Sequence, residues 1–329
     1  MKQKFDARRP MQVGGQAIIE GVMMRAPGMV AAAVRRPDGS IAVRKDPYVS
    51  LADRSRVWAL PVLRGAVGLV EMLLIGLRML NYSADVATGA DTGAQGEEGG
   101  DGAEKPAAGT LRIALTVAVA LIAGSAIFFL TPLMITTLFF HVDQQPLWFN
   151  LIAGGIRLAL FLGYLLAIAA MKDVRRIFEY HGAEHKAVFA FEEGSPLDVE
   201  AASCQTRFHP RCGTSFLLVV MLVAIALFGL LDTLMIAWLG RLTLLLRIGT
   251  HLPLIPLLGG VSYECIRISA RNSGTLIGRI VVAPGLWLQK ITTREPDAGE
   301  LEVALVALRA ALGEEAAPAG EVMRKAAAY

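Results

Sequence analysis

Two histidines and one glutamate stand close together in a motif whose spacing could bind a metal ion. The motif His-x-x-Glu-His occupies positions 181–185. On a helix, residues four positions apart lie on the same face, so the imidazoles of His181 and His185 can bind one divalent cation. The same arrangement is the inverted zincin pattern, in which two histidines bind zinc and the glutamate accepts a proton from the attacking water. If the motif binds a metal ion, Glu184 is the candidate catalytic base.

A second motif, His209-x-x-Cys212, lies a short distance further along the chain. Its imidazole and thiol are both suitable ligands for Zn²⁺ or Fe²⁺. Together the two motifs predict four metal ligands, which are His181, His185, His209 and Cys212. If all four bind, the site is closed and structural, whereas a position left to water would let Glu184 act as a general base. Cys204 and Glu264 are further candidate ligands.

The alternative is that these residues bind no metal. His181 and His185 would then cap or line a polar helix, and Cys212 would be a small buried residue where an apolar helix begins. Either motif alone favours this simpler interpretation. Because both motifs occur in one short segment, the sequence favours a divalent metal, with Zn²⁺ as the first choice and Fe²⁺ as the alternative.

The composition of the chain predicts a membrane protein. Of its 329 residues, 54% are hydrophobic and 19% are charged, the formal net charge is +3 and the mean hydropathy is +0.50. These values exclude a disordered or fibrous protein. The basic residues form no stripe interleaved with aromatic residues, so no nucleic-acid partner is expected. Three cysteines are too few for a disulfide framework and are expected to be reduced thiols.

Four long apolar segments are candidates for membrane-spanning helices. They are residues 113–140, 147–171, 213–231 and 242–263. Lysine and arginine are concentrated in segment 172–212 and absent from 141–146, so the positive-inside rule places segment 172–212 in the cytoplasm. The basic N-terminus lacks the apolar core of a signal peptide, and four crossings put both termini on the cytoplasmic side.

The predicted fold is mainly α: a polytopic membrane helix bundle of about four transmembrane helices, with interfacial or re-entrant helices and a small N-terminal β-rich cytoplasmic subdomain. The predicted parts are 1–57, the subdomain with a β-hairpin; 58–86, an amphipathic helix at the interface or lining the bundle; 87–110, a disordered acidic Gly/Ala linker; 111–171, the first two spans; 172–212, the cytoplasmic loop with the metal site; 213–263, the last two spans; and 264–329, a re-entrant or interfacial segment followed by a cytoplasmic C-terminal helix.

Turn residues define the N-terminal hairpin. Two apolar segments flank the Pro-Asp-Gly-Ser turn at 37–40. Further upstream, the Gly14-Gly15 pair is interpreted as a β-bulge, and a close approach of the backbone to a ligand is the alternative. Near the other end of the chain, residues 274–289 are too short for a confident crossing, and residues 297–312 are expected to form a cytoplasmic helix.

Charged residues within the apolar segments have two interpretations. Arg64, Glu71 and Arg78 recur every seven residues, and we interpret them as the solvated face of an interfacial helix, with a polar groove facing other helices as the alternative. Buried charges in a membrane are costly, so Arg157, Arg247 and His251 are each expected to face the bundle interior or to reach an interface. We expect the two arginines to snorkel or to pair with Asp232 or Glu264, and a neutral His251 to bond to backbone. A polar pathway through the bundle is the alternative.

Four segments resemble the YqhQ-like family of bacterial membrane proteins. They read VGGQAIIEGVMMR at 13–25, EYHGAEHK at 179–186, HPRCGTSF at 209–216 and PGLWLQKITTREP at 284–296. Members of this family are catalogued as a domain of unknown function and described as predicted metal-dependent enzymes. The resemblance implies a bacterial plasma-membrane location and no known substrate.

Two main functions fit these observations. The first is a metal-dependent hydrolase at the cytoplasmic membrane face, acting on a lipid headgroup or a membrane-bound peptide. The second is a non-enzymatic membrane assembly or scaffold factor with a structural metal. A channel or transporter would require Arg157 and His251 to line a water-filled path. The expected partners are membrane lipids and other membrane proteins.

Overall fold

The N-terminal part of the chain forms an antiparallel sheet. The computed structural model describes residues 13–90, 106–271 and 275–314. In these ranges a four-stranded sheet has the order β1-β2-β3-β4, with every neighbouring pair antiparallel. The strands are β1 (Gly14–Ile18), β2 (Gly21–Ala26), β3 (Gly28–Arg35) and β4 (Ile41–Tyr48). The predicted hairpin is confirmed, because β3 and β4 pair across the turn at 37–40.

Helices make up most of the remaining described chain. They are α1 (Leu51–Arg54), α2 (Leu63–Ala87), α3 (Pro106–Ser125), α4 (Thr131–Phe140), α5 (Pro146–Ala169), α6 (Lys172–Glu192), α7 (Val199–Ser203), α8 (Gly213–Leu239), α9 (Leu244–His251), α10 (Ile255–Arg271), α11 (Leu276–Thr292) and α12 (Ala298–Ala311). A π-helical turn, Ala126–Leu130, joins α3 to α4, and a 3₁₀ turn, Leu252–Leu254, joins α9 to α10. Of the predicted 87–110 linker, residues 91–105 lie outside the described residues, and the prediction is wrong for residues 106–110, which form the start of α3.

Both faces of the sheet are covered by helices. Side chains alternate between the two faces of a strand, so Met24 and Ala31 face α6 and α12, whereas Met23 and Ala32 face α2. This burial on both faces explains why β2 and β3 are apolar at nearly every position. The C-terminal helix α12, predicted at 297–312, is confirmed and begins with a capping box between Asp297 and Glu300.

Four helical segments in the described ranges are long and apolar enough to cross a membrane. They are Leu115–Phe140, Pro146–Ala169, Gly213–Leu239 and Leu244–Ser269. The third segment extends past Asp232, where the prediction ended it at residue 231. The fourth likewise extends past Glu264, where the prediction ended it at 263. Both carboxylates are paired with arginines of this chain, so neither charge interrupts its helix.

A buried polar cluster joins the segments that begin at Pro146, Gly213 and Leu244. The Asp232 carboxylate accepts hydrogen bonds from Asn150 Nδ2 at 2.7 Å, Arg247 Nε at 3.0 Å and His251 Nε2 at 2.9 Å. The predicted pairing of Arg247 with Asp232 is confirmed. The prediction for His251 is wrong, because its Nε2 bonds to this carboxylate instead of to backbone and its ring stacks on Phe228.

Arg157 compensates for a proline in the neighbouring helix. Pro132 has no N–H, so the carbonyl of Phe128, four residues earlier, lacks its usual helical donor. Arg157 Nε donates to that carbonyl at 2.8 Å. The guanidinium therefore satisfies a backbone acceptor at the π-helical turn, where such acceptors are commonly freed.

The predicted polar stripe of α2 contacts the protein and not solvent at two of its three positions. Arg64 Nε donates to Glu264 Oε1 at 2.7 Å, which removes Glu264 from the candidate metal ligands. The carboxylate of Glu71 accepts from Tyr48, Ser50 and the Leu51 backbone. The predicted solvated face is therefore wrong for Arg64 and Glu71, and only Arg78 of the three is exposed.

Candidate metal centre

Helix α6 carries the first motif in a closely packed position. Its small residues Ala183, Ala187 and Ala190 pack in one core with α12 and the sheet. On another side, the chain that follows α11 crosses α6 at Gly182, and a Cβ on Gly182 would lie 2.0 Å from the Arg294 carbonyl oxygen. Only glycine allows this approach. The segment 172–212, predicted as a loop bearing the metal site, is thus helical over the motif.

The two imidazoles of α6 are oriented by backbone carbonyls. His181 Nδ1 donates to the Thr292 carbonyl at the end of α11 at 2.8 Å, and His185 Nδ1 donates to the Arg207 carbonyl at 2.5 Å. These bonds assign the proton of each neutral ring to Nδ1, which leaves both Nε2 atoms as acceptors. A carbonyl behind a histidine is the usual partner of a metal-binding imidazole.

Cys212 brings a sulfur atom to the same point. The residue is the N-cap of α8, and its Sγ accepts a hydrogen bond from the Thr214 N–H. Sγ lies 3.2 Å from His181 Nε2. The ligand atoms of His181, His185 and Cys212 all lie within 4.8 Å of one another. Tetrahedral zinc separates a nitrogen ligand from a sulfur ligand by roughly 3.6 Å, which is close to the separation of His181 Nε2 and Cys212 Sγ.

The local electrostatics favour the thiolate form of Cys212. Burial raises the pKa of the thiol, but the neighbouring His181 and His185 outweigh burial and hold that pKa well below its usual range. Burial lowers the pKa of His181, but the charges of Cys212 and Glu184 outweigh it and raise the pKa to about 9. Cysteine binds metals as the thiolate. A divalent cation and a proton compete for Nε2 of His181.

His209 lines the same cavity but is not part of the three-residue cluster. Its Nε2 lies 3.5 Å from Glu192 Oε2, and its Nδ1 accepts a hydrogen bond from the Arg211 N–H at 3.3 Å. The ring packs edge to face on Phe189. Burial lowers the pKa of His209, which favours the neutral ring. Of the four predicted ligands, the structure therefore brings together His181, His185 and Cys212 and leaves His209 beside them.

The other candidate ligands lie elsewhere. Cys204 is exposed at the end of α7, and Glu264 pairs with Arg64. The cavity at the cluster has a volume of about 80 Å³. It is lined by His181, His185, His209 and Cys212 together with Glu184, Val188, Arg211, Gly213 and residues 13–15. This volume is sufficient for a metal ion with a few water molecules.

Glu184 is positioned by strand β1. Its Oε1 accepts a hydrogen bond from the Gly15 N–H at 2.9 Å, and its Oε2 lies 3.5 Å from His185 Nε2. The prediction of a bulge at Gly14-Gly15 is wrong, because the β1–β2 register is regular through both residues. Gly15 is instead closely packed by the protein itself, since a Cβ there would lie 2.3 Å from the Met23 carbonyl oxygen and 3.0 Å from Glu184 Cγ. The alternative, a close approach of this backbone to a ligand, stays a prediction.

The Gly15 contact leads to a testable prediction. Gly15→Ala inserts a methyl group against the Met23 carbonyl and Glu184, so we expect a loss of about 1–3 kcal/mol in unfolding free energy. Gly14→Ala is the matched control, because a Cβ at Gly14 meets nothing within 4 Å. Thermal unfolding of the two variants in detergent, beside wild type, checks this expectation. Equal stability of the two variants would contradict it.

Gln289 of α11 is a positioning residue that the sequence motifs did not indicate. Its Oε1 accepts from the His209 N–H at 2.8 Å, and its Nε2 donates to the His209 carbonyl at 2.8 Å and to Ser215 Oγ at 3.1 Å. The side chain is fully buried. Gln289 thereby fixes the turn that delivers Cys212. Its sequence signal is a lone glutamine in an apolar helix, where an unpaired amide would be costly.

Comparison with known proteins confirms the family resemblance. The family described as "Protein of unknown function (DUF1385)" matches residues 60–314. The uncharacterised protein YqhQ of Bacillus subtilis (strain 168) is 31% identical over 310 residues, which cover 93% of this chain and 94% of that protein. No solved structure matches the chain significantly. The chain therefore belongs to the DUF1385 family of YqhQ-like proteins of unknown function.

Proposed function

We propose that this protein is a multi-pass protein of the bacterial inner membrane that binds one divalent metal ion and acts as a hydrolase at the cytoplasmic face. Zn²⁺ is the proposed ion, and Fe²⁺ is the alternative. The observation that carries the proposal is the convergence of one ring nitrogen each of His181 and His185 with Cys212 Sγ within 4.8 Å. The carbonyl bonds at Nδ1 of both histidines support it, since they hold the rings in the ligand orientation.

The surface of the helices supports membrane insertion. Large aliphatic side chains on the candidate spans are exposed, among them Ile122 at 70% and Leu230 at 59%. A lipid environment removes the cost of this exposure. Exposed Lys172 and Arg175 open α6 directly after the second span. We therefore propose that α6, the metal centre and both termini lie on the cytoplasmic side.

The chain's own groups support hydrolysis. A bound Zn²⁺ acts as a Lewis acid and makes water nucleophilic near neutral pH. One oxygen of Glu184 is held by the Gly15 N–H, and the other faces the cavity beside His185. Glu184 is therefore placed to accept a proton from a water molecule in the cavity. His209 lies at the cavity wall, and it would have to give up its contacts with Glu192 and the Arg211 N–H to serve as a fourth and exchangeable ligand.

A structural metal is the second candidate. The ligands come from α6 and from the residue that caps α8, and the end of α11 fixes one of the rings. A bound ion would thus link three helices that are distant in sequence, as structural zinc sites do. In this case the protein would be a membrane assembly or scaffold factor, and Glu184 would only hold β1 against α6.

The substitution Glu184→Gln separates the two candidates. Glutamine keeps the acceptor for the Gly15 N–H but cannot take a proton, so we expect bound metal to be retained and hydrolysis to fall by about 10²–10⁴-fold. The assay uses zinc-loaded protein in nanodiscs of bacterial lipid with added membrane peptides, with products identified by mass spectrometry. Glu200→Gln, on an exposed residue of α7, is the control. If the Glu184→Gln variant hydrolyses its substrate at the wild-type rate, Glu184 is not the general base.

A further inference from the structure

Helix α2 presents an apolar face to its surroundings. Between residues 57 and 77 the large exposed side chains are all apolar: Val57, Trp58, Leu60, Leu63, Leu69, Val70, Leu73 and Leu74. We call these eight residues the α2 apolar face. The members on the helix recur at spacings of three, four and seven, so they form one stripe. The polar residues Arg64 and Glu71 bond to the protein itself, which is the reverse of the pattern in a soluble surface helix.

The position of α2 along a neighbouring candidate span indicates how deep α2 lies in the membrane, and therefore that lipid covers this face. The first turn of α2 is fixed to Glu264 through the side chain of Arg64. Glu264 lies five residues before the end of the span Leu244–Ser269, which is about 7.5 Å along a helix axis. Helices that lie in a membrane interface bury their apolar face about 5–10 Å deep. The fixed contact therefore places the first turn of α2, where its apolar face begins on the helix, at interfacial depth.

The flanking residues match the chemistry of lipid headgroups. Arg54 and Arg56 are exposed immediately before the apolar face, and Arg78 is exposed just after it. Trp58, 43% exposed, lies next to the first two arginines. Tryptophan is enriched at headgroup level, and arginine pairs with lipid phosphates. These exposed arginines thus flank the apolar face on both sides in sequence, where their guanidinium groups can contact lipid phosphates.

We infer that α2 is an in-plane membrane anchor, with its apolar face in the acyl-chain boundary of the cytoplasmic leaflet and Arg54 and Arg56 on the phosphates of anionic lipids. This inference rests on the proposed membrane insertion. The opposite side of α2 packs against the sheet through Met79 and Val86. The anchor therefore holds the sheet, and with it the β1 strand that binds Glu184, against the membrane surface.

Fluorescence quenching tests the position of Trp58. The reporter is the full chain with Trp148, Trp238 and Trp287 replaced by phenylalanine, in vesicles of phosphatidylcholine and phosphatidylglycerol. With acyl-brominated lipids we expect Trp58 emission to fall by about twofold or more, and we expect aqueous iodide to have little effect. A second reporter, Trp58→Phe with Leu222→Trp in the same background, gives the reference for a lipid-facing span residue, since Leu222 is 48% exposed.

The two reporters distinguish the failure of this inference from failure of the membrane proposal. If the Leu222→Trp reporter is quenched by brominated lipid and Trp58 is not, the anchor is overturned and insertion stands. The anchor is overturned in this case whether aqueous iodide quenches Trp58, which would place the residue in water, or does not, which would mean that protein covers it. If neither reporter is quenched, the proposed insertion falls and the anchor falls with it. If omitting phosphatidylglycerol leaves the quenching of Trp58 unchanged, the preference for anionic lipids is overturned. If Arg54→Gln with Arg56→Gln leaves it unchanged, the phosphate contacts are overturned.

Discussion

Loss of bound metal is the expected result when His181 and Cys212 are both replaced by alanine. Removing a group that only hydrogen-bonds to a metal ligand lowers metal affinity by roughly 10–100-fold. Removal of two of the three converging ligands themselves should therefore lower zinc affinity by about 100-fold or more. Wild-type protein purified in detergent should contain about one zinc or iron ion per chain. Elemental mass spectrometry after dialysis against a weak chelator measures both contents.

Two controls accompany this measurement. Cys204→Ala removes an exposed thiol outside the cluster and should leave the metal content unchanged. His209→Ala removes the histidine that lines the cavity without joining the cluster, so it should lower affinity less than the double substitution. A folded, monodisperse wild type without stoichiometric metal would contradict the metal centre. So would equal metal content in the double variant.

The largest loss of stability is expected for Asp232→Asn. Asp232 and Arg247 form an ion pair at 3.0 Å, and both side chains are 0% exposed. Removing the carboxylate charge breaks the buried ion pair and leaves the Arg247 guanidinium with the more distant, partly exposed Asp143 carboxylate as its counter-charge. Breaking a buried pair by removing one partner typically costs about 3–5 kcal/mol. Three donors also lose their shared charged acceptor. Unfolding in a detergent titration, followed by helical circular dichroism, measures the loss.

Asp143→Asn provides the matched control for this substitution. Asp143 lies on the other side of the same arginine, but its carboxylate is 3.6 Å from Arg247 Nη1 and its side chain is 31% exposed. Partly solvated pairs contribute about 0–1 kcal/mol. The asparagine at 143 should therefore be nearly neutral. If the two variants unfold at the same detergent concentration, Asp232 does not hold the cluster together.

Local spacing was sufficient to predict part of this structure. The four-residue interval between His181 and His185 places both rings on one helix face whatever surrounds the helix. The turn at 37–40 has its own dihedral requirements, so the β3–β4 hairpin was predictable as well. Asp232 was a plausible partner for Arg247 because few acidic residues lie in the apolar segments, and the ion pair is present.

Contacts between distant residues could not be predicted in the same way. The carbonyl that orients His181 belongs to Thr292, which is 111 residues away, and the N–H that holds Glu184 belongs to Gly15, which is 169 residues away. Backbone groups carry no sequence signal, because every residue has them. The position of His209 also depends on a distant residue, Gln289, which bonds to both sides of its backbone.

The helices that cover the two faces of the sheet are synthesised at very different times during translation. Helix α2 follows the strands closely, whereas α12 (Ala298–Ala311) comes after all four candidate spans of the described chain. At ~5–20 residues per second, the roughly 260 residues between β3 and α12 take about 13–50 s to translate. During that interval one apolar strand surface, containing Met24, Ala31 and Ala33, has no α12 to cover it. Synthesis of α12, rather than of any one candidate span, is therefore the step that completes the cover of this sheet.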